Sequence, residues 1–134
     1  MKRLVCLCAL LFAGHAMAQT TCSNATLSGK YLATTENATL AAGVNIFVIA
    51  KINANGNGTA NANIAYTESG GLLNGNTTEA LNYTISSDCT ITANAVLAGI
   101  PVAVTGYISP DGTKIVVIAD GVGVALNGTG VKVN

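Results

Sequence analysis

From Leu27 onward, apolar and polar positions alternate with a period of two, not 3.6. Leu27, Gly29, Tyr31 and Ala33 fall on one side of a strand, with Ser28, Lys30 and Thr34 on the other. Val44, Ile46, Val48, Ala50 and Ile52 make a second apolar face, and Ala60, Ala62, Ile64 and Tyr66 a third. Leu81, Tyr83 and Ile85 come next, then Ile91, Ala93, Ala95 and Leu97. Val102, Val104, Gly106 and Ile108 form a sixth face, and Ile115, Val117 and Ala119 a seventh. Residues 122–133 read as an eighth strand broken by glycines, either whole or split in two. No segment after residue 18 predicts a helix.

Turn signals punctuate these runs: Asn55-Gly56-Asn57-Gly58, Glu68-Ser69-Gly70-Gly71, Ser86-Ser87-Asp88, Ser109-Pro110-Asp111-Gly112 and Asp120-Gly121. In the fourth, Pro110 presets φ for the first central turn position. About eight short strands with tight turns leave an all-β sandwich or barrel. Short hairpins favour a small closed antiparallel up-and-down β-barrel; a β-sandwich is the alternative. Eight strands enclose an interior that side chains fill, or that holds one small ligand. Closure also removes sheet edges.

The stretch KINANGNGTANANIAYT, residues 51–67, tests this reading. It contains no carboxylate for a calcium loop. A phosphate loop opens a helix, whereas residues 59–67, after the glycines, alternate as a strand. A hairpin is expected, and Ala60 and Ala62 leave room where a filled barrel would carry Val or Leu. They mark a narrow end or one wall of a pocket.

The N-terminus changes the composition. Lys2 and Arg3 precede an apolar run from Leu4 to Ala13, and Ala16-Met17-Ala18 is a small-residue cleavage pattern. Residues 1–18 therefore read as a signal peptide and 19–134 as one barrel domain, secreted or periplasmic. Cys6 and Cys8 lie too early for a lipid anchor. Cleavage would remove His15, Arg3 and both Met residues, and the chain has no Trp. The six basic residues fall to four without Lys2 and Arg3; against six acids the net charge becomes −2. Cys22 and Cys89 remain, an even pair that reads as a disulfide in an oxidising compartment.

The segment CSNATLSGKYLATT (22–35) resembles the first strand of avidin-like proteins, where a cysteine also precedes a Leu-Ser/Thr-Gly-Lys-aromatic strand. VTGYISPDGTKIVVIADG (104–121) resembles one of their hairpins. Lipocalin-like and allene-oxide-cyclase-like secreted barrels share these features. The resemblance implies the barrel fold alone. Avidin-like biotin pockets depend on tryptophans, so no biotin binding is expected here.

The residue inventory narrows the chemistry. Without His there is no Ser-His-Asp triad, imidazole base or imidazole metal site. An activity is not expected; no catalytic residue, metal or cofactor is assigned. Glu36 and Glu79, away from turns, are the acids a carboxylate mechanism would need. Nucleic-acid binding is not expected with dispersed lysines and a negative net charge. Nor is membrane insertion, since outer-membrane barrels need aromatic girdles. Tyr31, Tyr66 and Tyr83 lie on apolar faces and are candidate ligand-lining residues; the alternative places them in the core, bonded to backbone or water. KIVVIA (114–119) is apolar on both faces and points to a homo-oligomer contact or a covering loop. Asn-x-Ser/Thr sequons at Asn24, Asn37, Asn57, Asn76, Asn82 and Asn127 are expected by chance in so Asn- and Thr-rich a chain.

Two functional readings result: an exported barrel binding a small apolar or amphipathic molecule, or a structural, fimbrial-like assembly protein. Fimbrial subunits donate an alternating N-terminal strand. QTTCSNAT (19–26) lacks that alternation.

Overall fold

A computed structural model describes residues 21–40, 43–68, 74–97 and 99–134. The expected signal peptide and the turn at 69–71 lie outside the described residues. A single 3-10 turn, Asn24–Thr26, leads into β1 (Ser28–Leu40), β2 (Val44–Asn55), β3 (Thr59–Glu68) and β4 (Asn74–Ile85). Then come β5 (Thr90–Leu97), β6 (Ile100–Ile108), β7 (Lys114–Gly121) and β8 (Val124–Val133). Each strand pairs antiparallel with the next, and β8 pairs back onto β1. The fold is thus a closed up-and-down barrel, not a sandwich.

Two local expectations are corrected and one open alternative is decided. A 3-10 turn stands where no helix is expected; Thr26 closes it by accepting the Ser23 N–H at 3.1 Å. β8 is continuous, because Gly128 and Gly130 sit opposite Thr35 and Ala33 inside the ladder. Asp120 and Gly121 belong to β7, and the chain reverses at Val122 and Gly123.

Alternation decides which residues enter the barrel. On β3, Ala60, Ala62 and Ile64 are buried while Thr59, Asn61 and Asn63 are exposed. On β1 the alternation is interrupted: both its ladders slip by one residue around Glu36. This β-bulge keeps Thr35 and Ala38 inside although their parity differs. Thr35 then completes the interrupted ladder, its Oγ1 accepting the Val48 N–H at 2.9 Å.

The interior forms two apolar layers. The lower contains Leu27, Tyr31, Tyr83, Ile85, Ile91 and Ile115; the upper contains Ile46, Val48, Ile64, Leu97, Val102 and Val124. Each such aliphatic side chain contributes about 1.5–3 kcal/mol through burial. The lower end is stapled. Cys22 and Cys89 form a disulfide with their Cα atoms 4.9 Å apart. Ile85 N–H donates to Asn24 Oδ1 at 2.8 Å, drawing the 3-10 turn across the barrel mouth. The hairpin at 55–59 turns as expected, with Gly56 and Gly58 at positive φ and the Asn57 N–H bonded to Asn55 Oδ1.

Candidate functional site

Between the two layers lies a cavity of about 160 Å³. Its walls are apolar: Ile52, Leu81, Ile91, Val104 and Val117 among larger residues, with Ala50, Ala60, Ala62, Ala93, Ala95 and Ala119 between them. The space exists because inward positions that Leu or Val could fill carry Ala. Ala60 and Ala62 thus form a wall of the cavity, one of the two roles their size allowed.

The three candidate tyrosines do not converge on this space. Tyr83 presents its ring to the cavity, but its hydroxyl points to the stapled end. There it donates to the Leu27 carbonyl oxygen at 2.7 Å and accepts the Gly56 N–H at 3.1 Å. Tyr31 is buried in the lower layer and donates to the Gly112 carbonyl oxygen at 2.6 Å. Burial pushes its phenol above the ordinary tyrosine range. Gly112 permits this docking: it has positive φ, and a Cβ there would meet the Thr26 carbonyl oxygen at 2.4 Å. Tyr66 is half-buried, its ring against the Gly75 backbone.

The acids are also separated. Glu36 is exposed on the β1 bulge, whereas Glu79 faces inward on β4, opposite Ala62. Glu36 faces solvent while Glu79 faces the interior, so the two do not form a carboxylate pair. Glu79 is half-buried and its Oε1 accepts the Thr77 hydroxyl at 2.9 Å. Its inward direction is legible in parity, since it precedes Leu81 and Tyr83 on the same face. Asp88 and Asp111 serve the stapled-end turns. The Ser86 hydroxyl and Thr90 N–H hold the Asp88 carboxyl below its usual range, and Ser109 and Thr113 do the same for Asp111.

The barrel wall is weakest between β4 and β5. Their ladder covers Asn82–Ile85 against Ile91–Asn94 only, although β4 begins at Asn74 and β5 runs to Leu97. At this seam Val96 points outward, 37% exposed, yet also lines the cavity. The interior space therefore reaches the wall there.

Two outer faces differ in character. Outward positions on β3–β5 are mostly Asn, Thr and Ala, with Thr78 Oγ1 donating to Asn63 Oδ1 at 2.8 Å. On β6–β8, Tyr107, Val116, Ile118 and Val131 are 48–64% exposed. No described loop covers KIVVIA. Among the described residues no helix is long and apolar enough to cross a membrane, and no group of His, Cys, Asp and Glu could hold a metal.

Compared with protein-family models, with curated proteins and with solved structures, the chain matches none. The class its fold defines is a small disulfide-stapled, up-and-down β-barrel with an apolar interior cavity. Of the expected resemblance to avidin-like, lipocalin-like and allene-oxide-cyclase-like barrels, the structure bears out the eight-stranded closed antiparallel barrel alone.

Proposed function

We propose that this protein is an exported barrel that binds a small apolar or amphipathic molecule in its interior. The apolar cavity of about 160 Å³ carries the reading. An engineered apolar cavity of about 150 Å³ stays dry and takes up benzene. The disulfide fits the oxidising compartment that the N-terminal signal pattern implies. Native mass spectrometry of the folded protein, with and without Ala62→Leu, is the test. A mass adduct present in the wild type and lost in the variant is expected. An adduct that survives Ala62→Leu, or a wild type that takes up neither benzene nor any other small apolar probe, would sink the reading.

The fimbrial-like alternative draws less support. β1 pairs on both sides, which leaves no groove for a donated strand. The Asn- and Thr-rich outer face of β3–β5 likewise favours water over lipid as its surroundings.

Self-association is the companion reading, and the partner is a second copy of this chain. On β7 the exposed Val116 and Ile118 lie between Lys114 and Asp120. A two-fold antiparallel contact would cover both apolar residues and set each Lys114 near the other copy's Asp120. Light scattering across concentration should show a dimer that Ile118→Lys dissociates. A constant monomer mass for the wild type would eliminate it.

A further inference from the structure

We propose that the β4–β5 seam is the binding portal of the cavity and that Glu79, on its lip, recognises an ammonium group. The ligand class is a small amine with an apolar aryl or short alkyl tail. This rests on the cavity being a ligand site and specifies what that site selects.

The seam supplies an opening with both chemistries. The cavity reaches it through Leu81, Ala95 and Val96. Glu79 is the next inward position on β4, within the stretch that has no ladder to β5. One carboxylate oxygen accepts the Thr77 hydroxyl, which orients the group. The other has no hydrogen-bond partner among the described residues.

Charge placement selects the sign of the ligand. β3, β4, β5 and β6 contain no Lys or Arg. Lys30, Lys51, Lys114 and Lys132 all lie toward the stapled end, near the starts of β1 and β7 and the ends of β2 and β8. The opposite half carries Glu36, Glu68 and Asp120, and Glu68 has the same inward parity on β3 as Ile64 and Tyr66. A half-buried carboxylate one inward position beyond the cavity-lining Leu81, facing no cation among the described residues, is completed by a cationic donor. A carboxylate ligand would meet repulsion at the same place.

Volume sets the size. About 160 Å³ accommodates a ring or short chain, not a long acyl tail. Benzylammonium, benzyl alcohol and benzoate share one apolar group and differ in the head, so they separate burial from charge.

Titration calorimetry on the disulfide-intact protein at neutral pH tests this with the three probes. Benzylammonium is expected to bind about tenfold more tightly than benzyl alcohol, the gain of one charge-assisted hydrogen bond. Benzoate is expected to bind more weakly than the alcohol. Glu79→Gln keeps the shape and should bring amine and alcohol within about twofold of each other. Ala95→Leu should abolish binding of all three. Equal affinity for amine and alcohol in the wild type overturns the proposal while the cavity reading stands. So does an amine preference that survives Glu79→Gln. No binding of any probe, or benzyl alcohol binding that survives Ala95→Leu, overturns the cavity reading and this proposal together.

Discussion

Tyr83 shows how one side chain joins two functions of the interior. Its ring walls the cavity, and its hydroxyl ties the 3-10 segment to the 55–59 hairpin. Tyr83→Phe keeps the ring and removes the bridge, leaving the Leu27 carbonyl and Gly56 N–H without that partner. A loss of about 1–3 kcal/mol is expected in urea unfolding. An unchanged midpoint would mean that the staple does not depend on this hydroxyl. Asp111 is the second residue-scale case. Its carboxyl is held below the ordinary aspartate value of about 3.9, so the folded state binds its proton less readily than the unfolded chain. Its contribution is therefore complete above that value and lost as pH falls through the lower folded one. Thermal midpoints of wild type and Asp111→Asn should differ at pH 7 and converge toward pH 2. A constant difference would contradict the sign. The Tyr positions were legible in sequence as inward; their hydroxyl partners were not, because Leu27 and Gly112 approach them only through the closed barrel.

At the scale of elements, β4 carries the informative irregularity. The Tyr83 N–H donates across to Gly58, so odd residues of β4 point their N–H groups toward β3. Even residues consequently point toward β5. Thr84 and Asn82 meet a ladder there, whereas Ala80 and Thr78 do not. Hydrogen exchange should find the Thr84 amide protected and those of Ala80 and Thr78 exchanging at least about a hundredfold faster. Equal protection at all three would mean a sealed wall and no lateral portal. Strand existence followed from alternation almost everywhere. The Glu36 bulge did not, because a one-residue slip leaves composition unchanged and is read only from both neighbouring ladders. The small-residue column was visible at Ala60 and Ala62, but its meaning depended on which strands faced them.

For the whole molecule, the disulfide closes a long loop and pins the stapled end. Its sequence separation of 67 residues corresponds to about 4 kcal/mol of chain entropy. Reduction should lower the unfolding free energy by about that amount in urea, with the slope rising as the unfolded chain expands. A shift below about 1 kcal/mol would place the stability of that end in the hydrogen bonds of Tyr83 and Asn24 instead. The same end holds every Lys of residues 21–134, so the barrel is polar along its length in charge as well as in architecture. This segregation could not be read from a near-neutral composition. It emerges because antiparallel strands return Lys51 and Lys132 to the end where Lys30 and Lys114 begin.

The sequence alone determined the all-β class, the number of strands, the cysteine pair and the inward side of most strands. Those properties follow from a local period of two and from turn chemistry, which neighbouring residues settle among themselves. Tertiary structure alone decided that the interior is hollow and that β4 and β5 part above Asn82. A cavity is a difference between the volume eight strands enclose and the volume their inward side chains supply. That difference exists only once every strand has found its register and the ring has closed.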